Sequence, residues 1–201
     1  MYGSLSEIDR AFCKCHVTCV VGPKGAGKTE LALFESVKMA NYKTRGKYIS
    51  FDTALAKLES LSDKYYDPDK HNSVGSCLTL SSVFSCYAIE DVLAKECNSI
   101  VVLDNLEEIL KFTRTPEPEL FKTLKYTALQ QNVGIVVLSR TEKDFDLTGA
   151  NGVTGLPVGM QLHSDTIVGC SSGQFSSTIS VLKGRDTAMG SVFTIPLMPL
   201  T

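Results

Sequence analysis

Gly22-Pro23-Lys24-Gly25-Ala26-Gly27-Lys28-Thr29 stands between the β-branched run His16–Val21 (HVTCVV) and a segment, Lys28–Ala40, with apolar residues at helical spacing. The octapeptide matches G-x-x-x-x-G-K-[ST], and the pattern has a mechanism. Glycines let successive backbone N–H groups turn inward around phosphates, Lys28 reaches the β- and γ-phosphates, and the Thr29 hydroxyl takes a place on Mg²⁺. The helix that begins there adds the positive end of its dipole. Average residue usage makes a chance match in a chain of this size roughly one in a hundred. The flanking strand and helix are the context that the motif requires.

Outward from this loop, the chain alternates. Lys47–Asp52 (KYISFD) reads as a second strand and Ala54–Leu61 as a short helix, followed by a polar loop over Asp63–Gly75. Leu78–Leu80 reads as a brief strand, with a helix from about Ser82 to Cys97. Ser99–Asp104 (SIVVLD) is an apolar strand ending in a carboxylate. Pro116 opens a helix whose inner face carries Leu120, Leu124 and Ala128. Gly134–Ser139 (GIVVLS) is a further apolar strand, and Thr141–Gly159 reads as a loop. Thr166–Cys170, Ser176–Lys183 and Val192–Ile195 then follow as strands. Ahead of the first strand, Ser4 and Glu7 form a capping-box pair before the stripe Leu5, Ile8 and Phe12. Strand–helix alternation followed by strands predicts an α/β fold with a mostly parallel sheet and a C-terminal antiparallel extension.

Composition narrows the partners. The chain has 201 residues, 43% apolar and 21% charged, with 20 basic and 22 acidic residues and a net charge of −2. That is ordinary globular usage, and it argues against a broad DNA-coating surface while leaving room for a local basic patch. No apolar run approaches bilayer length and no secretory leader is visible, so an intracellular setting with no membrane partner is expected. Seven cysteines, an odd number, fit reduced thiols better than a disulfide scaffold. Cys13, Cys15, His16 and Cys19 have the residue types of a zinc site, yet Cys19 lies in the strand that feeds the phosphate loop. Core packing is the plainer reading there.

With Asp104 ending a distant strand, GIVVLSRT running into a polar loop, and VLKGRDTAMGSVFTI near the C-terminus, the chain resembles the RecA-type ATPase core. Recombinases and their paralogues share that core, as do DnaB-type helicases and KaiC more distantly. The resemblance implies a RecA-like three-layer domain over 1–201 that uses ATP and Mg²⁺. Gly22 to Thr29 would hold the nucleotide, with Thr29 and Asp104 on the metal. SIVVLDNLEEIL is further similar to the corresponding strand and helix start of eukaryotic recombinase paralogues, including the small partner of SWIM-domain proteins. This implies work on single-stranded DNA within a hetero- or homo-oligomer that includes recombinase or paralogue subunits, in the nucleus if the source is eukaryotic.

The resemblance also assigns site residues, with departures. The family places a water-positioning glutamate after the second strand. Here the sequence is ISFDTALAK, so either Asp52 stands in that place, one methylene short, or Asp52-Thr53 matches the family's Asp-Thr pair and Ala54 replaces the glutamate. Both registers imply slow hydrolysis. The polar sensor after the fourth core strand would be Ser139 or Arg140. Lys183 and Arg185 match cations that reach a neighbouring subunit's γ-phosphate. Asn105–Pro118 and Arg140–Gly159 correspond to DNA-facing loops, with Lys111, Phe112, Arg114 and Arg140 as the candidate contacts. Competing readings are a DnaB-like ring motor and a KaiC- or Elongator-like scaffold regulated by nucleotide.

Overall fold

Short β-branched runs with no polar face need cover on both sides, and the chain supplies it with helices. The computed structural model describes residues 12–41, 44–65, 77–83, 89–94, 96, 99–141, 153, 155–172, 176–184 and 192–196. Eight strands form one sheet: β1 (Val17–Gly22), β2 (Gly46–Ser50), β3 (Leu78–Ser82), β4 (Ile100–Asp104), β5 (Gly134–Arg140), β6 (Thr166–Ser172), β7 (Ser176–Lys183) and β8 (Val192–Pro196). Their order across the sheet is β3-β2-β4-β5-β1-β6-β7-β8. The pairings from β3 to β6 are all parallel, whereas β7 and β8 are added antiparallel. This is the expected parallel sheet with its antiparallel extension.

Alternation along the strands divides the core in two. Val17, Cys19 and Val21 face one side with Val101, Leu103, Ile135 and Val137. There they meet α3 (Ile89–Leu93), α4 (Leu106–Thr113), α5 (Glu117–Gln131) and α6 (Val158–His163). Val20, Val102, Val136 and Leu138 face the other side, against α1 (Lys28–Asn41) and α2 (Leu55–Asp63), through Leu31, Leu33 and Leu58. The Glu117 carboxylate, at the start of α5, accepts hydrogen bonds from the backbone N–H groups of Gly159 at 2.9 Å and Met160 at 2.7 Å. It therefore satisfies the open end of α6 and ties the two helices together.

Three expectations need correction. Ser82 ends a strand instead of starting a helix, because β3 continues beside β2 in register as far as Ser82 opposite Ser50. Among the described residues the helix of that region is confined to Ile89–Leu93. Asn105–Pro118 is mostly helix and not a loop: Asn105 caps α4, accepting from the Glu108 N–H at 3.2 Å, and buried Leu106 and Ile109 anchor it. The segment read as a loop to Gly159 gives way to α6 at Val158. Residues 4–11, most of 63–75 and 142–152 lie outside the described residues.

Close packing at the amino end of β5 requires a glycine. A Cβ on Gly134 would stand 2.4 Å from the Cys13 carbonyl oxygen and 2.6 Å from Ile100 Cδ1. We expect Gly134→Ala to cost about 2 kcal/mol by overpacking. The check is a lower denaturant midpoint with an unchanged slope, together with unchanged nucleotide affinity, since the position is far from the phosphate loop.

Candidate functional site

Parallel pairing in register carries four strand ends to one edge. Ser50 lies opposite Asp104, Asp104 opposite Leu138, and Leu138 opposite Val20, while Gly22 pairs with Arg140. The loop Gly22–Thr29, the Asp52 turn, Asp104 and the Ser139–Arg140 end therefore converge where ligands of open α/β sheets bind. Together they line a cavity of about 380 Å³ that includes Lys24, Gly25, Ala26, Gly27, Lys28, Thr29, Glu30, Asp52, Lys57, Asp104, Glu107 and Arg140.

Gly25 and Gly27 adopt φ of +80° and +81°, the left-handed conformation by which a glycine loop can turn successive N–H groups inward around an anion. Lys28 Nζ donates to the carbonyl oxygens of Gly22 at 2.8 Å and Pro23 at 2.7 Å. Burial lowers the pKa of this ammonium, and Arg140 nearby acts in the same direction. An anion in the cavity would restore the preference for the charged form.

Asp104 is the most buried acid of the site, 7% exposed. Its Oδ2 accepts from Tyr48 Oη at 2.7 Å and from Thr29 Oγ1 at 3.2 Å. Burial pushes the carboxyl up to about 6; the Tyr48 and Thr29 bonds pull it back, and Asp52 adds to the push. Tyr48 itself, fully buried and beside this carboxylate, is raised well above its ordinary value and stays a donor. A hydroxyl and a carboxylate are hard oxygen donors, so Thr29 and Asp104 suit Mg²⁺, and the inward-turned glycine loop suits a polyphosphate. The residues fit the implied groups.

Asp52 lies at the rim, exposed. Its Oδ1 accepts from Thr53 Oγ1 at 3.0 Å and Ser50 Oγ at 3.3 Å, and its Oδ2 accepts from Asn105 Nδ2 at 2.6 Å. Asp52 and Thr53 line the cavity, whereas Ala54 instead occupies the N-cap of α2. Arg140, which the sequence offers as a nucleic-acid contact, lines the same cavity as Lys28 and Asp104. Lys111 and Arg114 are exposed on α4, Lys111 paired with Glu108. Phe112 packs partly against the core, which limits it as a free stacking surface.

Lys183 lies at the opposite edge of the sheet. It pairs with Ile167 near the start of β6, and its ammonium donates to the carbonyl oxygens of Gln161 (2.8 Å) and Ser164. Beside it, Asp165 accepts from the Val17 N–H at 2.9 Å and from Lys125 at 2.6 Å. Lys183 is thus separated by the length of the strands from its own chain's phosphate loop. Arg185 lies outside the described residues. Cys19, buried in β1, shares a hydrogen bond with Ser164 Oγ at 3.0 Å, and its thiol is pushed up to about 12 by burial. It is a core residue.

Sequence reading missed Tyr48, Asn105 and Glu107. Tyr48 was indistinguishable from any other residue of a buried strand. The resemblance marks Asn-Leu-Glu-Glu as a helix start, as the structure shows, but it assigns no role to Asn105 or Glu107.

The raised Asp104 carboxyl has a pH signature. The folded chain holds a proton there that the unfolded chain releases, so stability falls as pH rises between about 4 and about 6. The loss is on the order of 2–3 kcal/mol. We expect Asp104→Asn to remove that slope and raise the melting temperature at pH 7.5, while abolishing the effect of Mg²⁺ on nucleotide affinity. Denaturation between pH 4.5 and 7.5 and nucleotide titrations with and without Mg²⁺ check both.

Comparison with protein-family models and with curated proteins finds no match. Solved structures do match over nearly the whole chain. The RadB recombinase is similar with a TM-score of 0.66 at 15% identity, covering 96% of this chain and 92% of that one. The flagellar accessory protein FlaH from Methanocaldococcus jannaschii is similar with a TM-score of 0.68 at 12% identity, covering 98% and 94%. No helix among the described residues is long and apolar enough to cross a membrane. Over nearly its whole length, therefore, the chain has a RecA-type P-loop ATPase-like fold.

Proposed function

We propose that this chain is an ATP-binding subunit of the recombinase-paralogue kind, assisting homologous recombination or repair on single-stranded DNA within a complex and hydrolysing ATP slowly. The observation that carries the nucleotide reading is the gathering of Lys28, Thr29 and Asp104 in one cavity with the inward-turned loop. The cavity lining has four basic residues (Lys24, Lys28, Lys57, Arg140) against four acidic ones (Glu30, Asp52, Asp104, Glu107). A triphosphate therefore needs its divalent cation to be held there. Mg²⁺, when bound by Thr29 and Asp104, would supply charge neutralisation at the β- and γ-phosphate oxygens. Lys28 and Arg140 orient the same oxygens, and the loop N–H groups cradle the rest.

The Asp52 turn supports slow hydrolysis, since it leaves the place after the second strand without an effective water-positioning carboxylate. A short carboxylate, exposed and with both oxygens engaged, is poorly placed to align a water, and an error of about 1 Å costs about a hundredfold. Lys183, on the far edge, can serve a γ-phosphate only in a neighbouring subunit. The likeness to a recombinase supports the DNA reading, and the exposed Lys111 and Arg114 supply cations for it. The equally good likeness to a flagellar accessory protein favours a second reading, a scaffold whose assembly is set by nucleotide.

Native mass measurement with and without Mg·ATP and a single-stranded oligonucleotide separates the readings. A DNA-bound, ATP-dependent complex is expected; nucleotide-dependent assembly that ignores DNA would favour the scaffold. Lys28→Ala should abolish ATP binding, and Lys111→Ala with Arg114→Ala should weaken DNA binding and reduce its salt slope by about 1.4. Single-turnover hydrolysis as fast as that of a ring motor would overturn the slow-ATPase reading.

A further inference from the structure

We propose that Glu107, and not Asp52, is the residue that aligns the attacking water for ATP hydrolysis. The proposal rests on the reading of the cavity as an ATP site. Four carboxylates line that cavity. Asp104 belongs to the metal position, held by Tyr48 and Thr29. Glu30 stands in the first turn of α1, where no described residue holds its carboxylate in place and it acts electrostatically on Tyr48, Tyr65 and Cys170. Asp52 has both oxygens committed, to Ser50 and Thr53 on one and Asn105 on the other.

Glu107 differs from all three. Its Oε1 accepts from Ser139 Oγ at 2.8 Å and from the Arg140 N–H at 2.9 Å, two groups at the end of β5. Among the described residues its Oε2 accepts no hydrogen bond. The carboxylate is thus gripped on one side and open on the other, and it is close enough to Lys28 to act on that ammonium electrostatically.

The local backbone explains the placement. Asn105 takes φ +83°, ψ 78°, a left-handed turn directly after Asp104, and starts α4 so that Glu107 stands in its first turn over the cavity. Asparagine is among the few residues that adopt this conformation readily. The Asn105 side chain caps Glu108 with its oxygen and holds Asp52 with its nitrogen. Asp52 is therefore a brace for this turn.

In the proposed step, Glu107 Oε2 takes a proton from a water whose oxygen forms a bond to the terminal phosphorus. The bond from that phosphorus to the β,γ-bridging oxygen breaks, and its electron pair stays on the departing ADP. The proton passes from Glu107 to the released phosphate, which restores the carboxylate.

The test compares wild type, Glu107→Gln and Asp52→Asn in the full chain. Three readouts are used: calorimetric affinity for Mg·ADP, the gain in that affinity on adding aluminium fluoride, and single-turnover hydrolysis of Mg·ATP. Aluminium fluoride completes a mimic of the planar phosphoryl group with its aligned water. Glutamine keeps the acceptor for Ser139 and Arg140 and removes the base. We expect Glu107→Gln to keep its melting temperature and its Mg·ADP affinity within threefold, to lose at least tenfold of the fluoroaluminate gain, and to hydrolyse at least a hundredfold more slowly. Asp52→Asn alters a brace of the turn and leaves the base in place, so it should hydrolyse at least tenfold faster than Glu107→Gln and keep most of the fluoroaluminate gain. Wild-type turnover by Glu107→Gln, or the same losses in Asp52→Asn instead, overturns the proposal. A wild type that binds Mg·ATP without cleaving it also overturns it, leaving the binding reading intact. A chain that binds no nucleotide overturns both.

Discussion

Everything at the edge that carries Gly22–Thr29 depends on the register between parallel strands. A side chain at the end of one strand can meet a side chain at the end of another only if the ladders keep step, and a slip of one residue would turn every inward group outward. Here Val20, Ser50, Asp104 and Leu138 lie on one line across the sheet. Register is fixed by burial on both faces: Val17, Cys19 and Val21 cannot exchange sides with Thr18 and Val20 without exposing the apolar set of one face and rebuilding both cores. The hydrophobic effect thus determines where a carboxylate and a lysine meet.

The same burial makes the site costly to keep. Asp104 is held in an apolar setting by two donors, Tyr48 and Thr29, that only partly replace water. A carboxylate kept where its ionised form is disfavoured is a common trade of stability for metal affinity. Lys28 shows the converse case, a half-buried ammonium satisfied by the carbonyl oxygens of its own loop. Both groups are placed by the fold before any anion arrives, which spares reorganisation on binding.

The fold was largely legible in the sequence because its signals are local. HVTCVV, SIVVLD and GIVVLS are apolar runs of strand length bounded by turns, and the phosphate loop defines the chain direction at one of them. What escaped is what pairing and packing decide. Ser81 and Ser82 have weak strand preference, yet β2 holds them in the sheet. Helix α4 is eight residues long, shorter than periodicity alone can establish, and tertiary packing of Leu106 and Ile109 makes it. Lys28, Thr29 and Asp104 could be named from the motif and the strand end. Glu107 could not, since its role depends on a left-handed Asn105 that no spacing rule records. The sequence also left the place of Asp52 open between two registers, a question that needed the turn itself.

Lys183 and the phosphate loop occupy opposite edges of one sheet. A two-fold axis could join these two edges only reciprocally, in a closed dimer, whereas a head-to-tail arrangement uses each edge once and can extend. An assembly extended through them has a direction, as a row of arrows has. Unless such a row closes into a ring, one terminal subunit keeps a phosphate cavity with no neighbour's lysine beside it, and the other keeps a Lys183 edge with no cavity to face. The two ends of the row are then chemically different, and each can be recognised by a different protein.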